Sequence, residues 1–334
     1  MSPTETRVEV TRGDLAESMH EIAACAVDAK GQVVLAAGNI DKPVYLRSTA
    51  KPFIAAAAIA AGVREQFELE RHEIAVMAGS HSGEPFHIGA VRAILYKIGM
   101  TEDALQCGAH EPYNADAAAE LRSAGLPATA IYNNCSGKHA GILALCKAIG
   151  ANTATYLQPN NPAQQQILAF CAGVSDARLE DLPVGVDGCG IPVYAAPLRN
   201  VAISYMRLAT LSGMDEQHTS ALHIVRDAMI AYPEYGSGTG EFDAALMAAG
   251  AGSIACKGGA EGVHGDALIG PGIGMALKVL DGAERASAPA VIAILQRLGA
   301  LSQSQMELLE PFSRPILHNR AGLEVGQITT VQEA

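Results

Sequence analysis

The chain has no tryptophan, and aromatic residues make up only 4% of its 334 positions. Together with 34 glycines, this points to close helix packing rather than to an aromatic-lined binding surface. Basic residues are scarce as well: 23 Lys and Arg against 35 Asp and Glu leave a formal charge of -12. That balance argues against nucleic acid or an anionic membrane as partner. It says little about a small zwitterionic substrate, which senses only its own pocket. Long apolar runs are also missing. The longest, residues 53–62, falls well short of the roughly 20 residues that span a bilayer. The N-terminal residues show neither a basic segment nor an apolar core, so no signal peptide is read there, and the chain reads as cytoplasmic. Seven cysteines at irregular spacing speak against a disulfide framework.

What is present is enough hydrophobic sequence, 49%, for one large domain or two intertwined ones. Residues 8–11, 22–28 and 33–36 read as short strands, the last two joined by a turn at Asp28-Ala29-Lys30-Gly31. Helical spacing follows over residues 50–61, 87–98, 116–124, 137–149 and 163–172. It continues over 192–211 and 219–231. Strand character returns at 262–268 and 274–280, a helix covers 288–298, and a short strand and tail follow residue 315. Strands at both ends with helices between them are not the alternation of a doubly wound fold. The expectation is a mixed α/β (α+β) chain, with an antiparallel sheet built from N- and C-terminal strands around an inserted helical domain. The whole of 1–334 is read as one unit, with a sheet region over 1–47 and 210–334 and a mainly helical region over 48–209.

Five segments carry chemistry. In Arg47-Ser48-Thr49-Ala50-Lys51-Pro52, Ser48 and Lys51 stand at i and i+3 at the mouth of an apolar helix. The positive end of the helix dipole and apolar neighbours both favour a neutral lysine, and a neutral amine beside a serine is a base beside a nucleophile. The reading without chemistry is an N-cap serine and a solvated lysine. Gly79-Ser80-His81-Ser82-Gly83-Glu84 is a polar turn bounded by glycines. It admits a hydrolase order Ser82…Asp187…His264, although that needs βαβ units the sequence does not show; otherwise it is a capped turn. Asn133-Asn134-Cys135-Ser136-Gly137-Lys138-His139-Ala140-Gly141 enters an apolar helix with Cys135 near its N-terminus, where a thiolate is favoured. Asp187-Gly188-Cys189-Gly190-Ile191-Pro192 is a tight loop. Two loop thiolates could hold a soft metal, but this is not C-x-x-C spacing, so the residues by themselves do not call for one. Cys256-Lys257-Gly258-Gly259-Ala260-Glu261-Gly262 reads as a short strand ending in Lys-Gly-Gly, or as a surface lysine before a turn.

Taken in order, these five blocks resemble the thermolabile, Rhizobium etli-type L-asparaginase II family, over nearly the whole chain. The resemblance implies a fold like the serine β-lactamases and glutaminases, with Lys257-Gly258-Gly259 in the place of their K-T-G strand. It implies hydrolysis of L-asparagine by two Ser–Lys pairs, Ser48 with Lys51 and Ser80 with Lys257. It also implies one zinc ion per subunit, held by Cys135, Lys138 and Cys189 and auxiliary to the hydrolysis, and it points to a homodimer. A lysine ligand has to be a neutral amine, which the metal and the helix N-terminus would favour. For the substrate, Arg47 is a candidate partner of the α-carboxylate, Asp187 of the α-ammonium or a metal-bound water, and His139 an orienting residue. The local i, i+3 geometry favours Ser48 as nucleophile, with Ser80 in a relay or oxyanion role. Rival readings are an S-x-x-K glutaminase or penicillin-recognising enzyme, and a non-catalytic protein that binds zinc or an amino acid.

Overall fold

The structure, a computed structural model, describes residues 6–332. Along the chain come β1 (Thr6–Arg12), β2 (Leu15–Val27), β3 (Val33–Ala37), β4 (Pro43–Tyr45), α1 (Lys51–Ala60), α2 (Val63–Gln66), α3 (Arg71–Met77), α4 (Pro85–Lys97), α5 (Ala115–Ser123), α6 (Ser136–Ile149) and α7 (Pro162–Val174). There follow β5 (Val184–Val186), β6 (Pro192–Pro197), α8 (Leu198–Thr210), α9 (Glu216–Ala231), α10 (Pro233–Gly236) and α11 (Phe242–Gly250). The chain closes with β7 (Ile254–Gly259), β8 (Val263–Leu268), β9 (Ile273–Val279), α12 (Ser287–Arg297), α13 (Gln303–Leu308), α14 (Glu310–Ser313), β10 (Ile316–His318) and β11 (Glu324–Gln332). The chain divides into two compact units. Among the described residues, one comprises 6–49, 196–210 and 245–332, the other Ala50–Ala195 and Leu211–Ala244.

The first unit is built on β2. Its residues 22–27 are buried without interruption, as a strand covered on both faces requires. β2 lies inside an antiparallel sheet of order β10-β11-β1-β2-β9-β8-β7, and β3 also pairs with β2. N-terminal β2 and C-terminal β9 meet in register over residues 22–27 and 274–279. The expected sheet from both termini is therefore what forms. α8 packs against β2, β8 and β9, and α12 against β1, β8, β9 and β11. β7 comes last in the strand order and so lies at an edge of the sheet among the described residues.

The second unit is helical. α1 is its centre: nine of its ten residues are buried, because alanines on every side let α6, α7 and α9 all reach it. α6 lies against α3 with little room to spare. A Cβ at Gly137 would stand 2.4 Å from the Val76 carbonyl oxygen, so only glycine fits at that crossing. Residues 192–211, expected to be helical throughout, are instead strand β6 followed by α8. β6 pairs antiparallel with β5, Val184 opposite Tyr194. An apolar run of six residues looks the same in a strand and in a buried helix, so spacing could not separate them. None of the helices is long and apolar enough to cross a membrane among the described residues.

Candidate active site

In the helical unit, α1 opens on Lys51, with Pro52 setting the first turn. The Lys51 side chain is 1% exposed. Its Nζ donates to Ser80 Oγ at 2.8 Å and to the Asn134 carbonyl at 3.3 Å. Ser80 stands in the loop between α3 and α4. Its N–H donates to the Gly236 carbonyl at 2.8 Å, and the next N–H, of His81, donates to the Asn134 carbonyl at 3.2 Å. Backbone bonds on both sides of the serine thus hold its hydroxyl to a buried amine, which is the geometry of a base and a nucleophile or relay. The sequence reading paired Ser80 with Lys257 and Lys51 with Ser48. It gave no hint of the bond from Lys51 to Ser80, because the partners are 29 residues apart and meet only through loop placement.

Beside this pair lie two sulfurs and a second lysine. Cys135 is the N-cap of α6, Lys138 is in its first turn, and Cys189 sits in the turn closed by the Gly190 N–H on the Asp187 carbonyl at 2.9 Å. Lys138 Nζ donates to Cys189 Sγ at 2.9 Å, and the Cys135 thiol lies near enough to Cys189, Lys138 and Lys51 for all three to act on its charge. None of the three is more than 6% exposed. The Cys189 hydrogen bond, with the charges of Lys138 and Lys51, outweighs burial and holds the Cys135 thiol well below its ordinary value. Donating that bond, and burial, push Cys189 up. Burial opposes charge on Lys138, yet the facing sulfurs of Cys135 and Cys189 raise it above the usual lysine range. In the free site Cys189 Sγ at 2.9 Å and the nearby Cys135 favour the ammonium; the neutral amine expected was that of a metal-bound Lys138, which the metal and the helix N-terminus would favour. Three buried donors with S, S, N chemistry, one of them a thiol whose ionisation its neighbours favour, fit a borderline-soft ion such as zinc, which would displace the lysine proton.

The sheet unit holds Ser48 and Lys257. Ser48 is half-buried in the 3₁₀ turn Arg47–Ala50. Arg47, just ahead of it, has φ +50°, a left-handed conformation that strains a residue with a side chain. The turn is pinned by Thr49, whose N–H and Oγ1 both donate to the Leu46 carbonyl, at 3.0 and 2.6 Å. The Tyr205 hydroxyl of α8 donates to the Thr49 carbonyl at 2.9 Å. Edge strand β7 runs alongside: a Cβ at Gly259 would stand 3.1 Å from the Ser48 nitrogen. Lys257, 4% exposed, donates from Nζ to the Gly258 carbonyl at 2.7 Å.

The remaining candidates differ in access. Arg47 and Asp187 are half-buried, and Asp187 Oδ1 accepts the Gly188 N–H at 2.9 Å. His139 is 0% exposed, with Nδ1 2.7 Å from the Tyr156 hydroxyl, so it can act on a ligand only through other residues. The hydrolase order through Ser82 fails. The sheet is antiparallel, and the Ser82 hydroxyl donates to Glu84 Oε1 at 2.8 Å instead of facing a base. Sequence reasoning gave no role to Asn134, whose carbonyl gathers Lys51 and His81, or to Asn133, whose Oδ1 accepts the Cys135 N–H at 2.8 Å. The doubled asparagine ahead of Cys135 was the available signal.

A family model described as L-asparaginase II matches residues 8–330. A search of curated proteins returns no match. Among solved structures, one of Mglu is similar at 15% identity over 84% of this chain and 67% of that one, with a TM-score of 0.46. Mglu in its glutamate form is similar at 15% identity over 84% and 61%, TM-score 0.45. A β-lactamase from Mycobacterium bovis follows at 12% identity over 83% and 94%, TM-score 0.44. The match spans about two thirds or less of the Mglu chains.

Proposed function

The chain belongs to the L-asparaginase II family of amide hydrolases, and on that premise we propose that it converts L-asparagine to L-aspartate and ammonia by serine–lysine acyl transfer. The observation that carries this reading is the part-buried 2.8 Å bond from Lys51 to the Ser80 hydroxyl. In the proposal Lys51 is the base. Ser48, three residues ahead of it in the chain, attacks the side-chain amide carbon, and Ser80 relays the proton. The backbone N–H groups of the Ser48 turn and of the β7 edge are assigned to the developing oxyanion. Collapse breaks the C–N bond, Lys257 protonates the leaving nitrogen, and ammonia departs. Water then cleaves the acyl ester: one of its protons goes to Lys257 and Lys51 returns its own through Ser80 to the serine oxygen, so that aspartate leaves and the serine hydroxyl and both lysines are restored. Arg47 is assigned to the α-carboxylate and Asp187 to the α-ammonium, with His139 orienting from inside the core.

Cys135, Lys138 and Cys189 would hold a zinc ion, whose fixed positive charge and Lewis acidity would help bind and orient the substrate. Asparagine and glutamine differ by one methylene, worth roughly 1–3 kcal/mol in a pocket, so the preference for asparagine rests on family membership.

The test is ammonia release from L-asparagine and L-glutamine by wild type, Ser48→Ala and Ser80→Ala, with and without zinc. Turnover of asparagine lost in both variants supports the two-serine site. Turnover of glutamine alone moves the reading to a glutaminase. No ammonia from either amide under any metal condition sinks it, and asparagine binding without turnover would then favour a binding protein.

A further inference from the structure

The loop that presents Ser80 also carries His81, to which the proposed reaction gives no role. The ring is 0% exposed and stacks on His87, centroids 5.1 Å apart at 21°. His81 Nε2 lies 2.8 Å from Ser136 Oγ. That hydroxyl spends its own hydrogen on the Ile131 carbonyl, at 2.8 Å, so it can only accept from the ring, and Nε2 must carry the hydrogen. Burial, with the nearby His87 and Lys51, holds the His81 pKa well below the ordinary histidine value, which keeps the ring in this neutral donor form. The backbone repeats the link, since the His81 N–H donates to the Asn134 carbonyl, in a turn closed by the Ser136 N–H on the Asn133 carbonyl at 2.8 Å. One imidazole therefore ties the Ser80 loop to the turn that carries Cys135 and Lys138.

We propose that His81 is a positioning residue for the amide hydrolysis: its hydrogen bond to Ser136 fixes the Ser80 hydroxyl against Lys51 and fixes the same turn from which Cys135 and Lys138 project. The inference rests on the function proposed above, but its test does not stand or fall with it. His87 backs the ring on its far side. Its Nε2 donates to the Glu234 carbonyl at 2.8 Å and its Nδ1 accepts the Glu84 N–H at 3.2 Å. The imidazole is therefore held by stacking and by a single side-chain hydrogen bond, and the two can be separated by substitution.

His81→Phe keeps a ring and removes the donor. His81→Gln returns an amide N–H at the reach of Nε2. Ser136→Ala removes the acceptor from the other side and serves if His81→Phe does not fold. Misplacing a catalytic group by about 1 Å costs on the order of 100-fold, and loss of an outer support costs a metal site about 10–100-fold in affinity. The expected result is a fall in kcat of about 10–100-fold in His81→Phe and Ser136→Ala, with KM within about threefold and most of the loss recovered in His81→Gln. Zinc affinity, measured by chelator competition, should fall at least about tenfold in the same two variants. Wild-type kcat in His81→Phe, or equal losses in His81→Phe and His81→Gln, overturns the inference and leaves the asparaginase reading standing. If the wild type releases no ammonia from either amide, the functional reading fails and zinc affinity decides. Weaker binding restored in His81→Gln then supports the positioning role, while unchanged binding, or no zinc binding by any form, overturns it.

Discussion

Replacing Lys51 by methionine removes the amine and keeps most of the side-chain volume. The kinetic expectation follows from its role as base: proton transfer by a positioned side chain is worth about 10²–10⁴-fold, so kcat should fall about 10³-fold, which is ~4 kcal/mol at 1.36 kcal/mol per decade. The stability expectation is nearly independent of this. Lys51 is 1% exposed, and any charge it takes up as base is costly to bury. Its acceptors are not stranded by its loss. The Asn134 carbonyl still receives the His81 N–H at 3.2 Å, half-buried Ser80 retains access to water, and Cys135 keeps Cys189 and Lys138. Net stability should thus change by no more than about 1–2 kcal/mol in either direction. Lys51→Ala is the contrast, because it opens a cavity and should cost about 2–5 kcal/mol. The assay is ammonia release beside a thermal melt for each protein. More than a tenth of wild-type kcat in Lys51→Met would refute Lys51 as the base. A large loss of stability in Lys51→Met would refute the claim that its acceptors find other partners.

Ser82→Ala should keep kcat within about threefold, while losing about 1 kcal/mol with the bond to Glu84; an inactive but folded variant would revive Ser82 as a nucleophile. Gly137→Ala gains about 1 kcal/mol of helix propensity but places a methyl 2.4 Å from the Val76 carbonyl. Overpacking should prevail by about 1–3 kcal/mol, and an unchanged urea midpoint would refute the close crossing of α3 and α6.

The sheet was legible because β2 and β9 are apolar stretches at opposite ends of the chain with helical spacing between them. α1 and α6 were legible because a polar block opens each apolar run. α3 was missed: seven residues give two turns, too few for a period to register. The five blocks fall where elements begin or end, at Lys51 on α1, at Cys135 on α6 and at Lys257 on β7, and there residue type reflects chemistry more than packing. Who pairs with whom was not legible. The i, i+3 rule saw Ser48 beside Lys51 because it sees only neighbours along one helix. The bond from Lys51 to Ser80 depends on how the loop after α3 is hung from Gly236 and Asn134. The charged state that Lys138 takes in the free site was hidden for the same reason, since the helix dipole is visible in sequence and Cys189, 51 residues away, is not.

That charge decides how the candidate metal site should respond to pH. Without metal, the lowered value of Cys135 favours a thiolate and the raised values of Cys189 and Lys138 favour a thiol and an ammonium, a set whose charges sum to zero. A zinc ion held by two thiolates and a neutral amine also sums to zero. One dication therefore enters as two protons leave, one from Cys189 and one from Lys138, and the net charge facing Lys51 does not change. Metal competes with protons for these ligands, so affinity should rise with pH, by about 100-fold per unit around neutrality for two protons. Zinc titration calorimetry in buffers of different ionisation enthalpy counts the protons directly. Release of one proton, with a tenfold rise per pH unit, would leave either Lys138 or Cys189 outside the ligand set. Release of none would mean that the triplet does not take the ion at all. Two protons would explain how a site bonded to the base through Cys135 can carry or lose its metal without altering the charge under which Lys51 works.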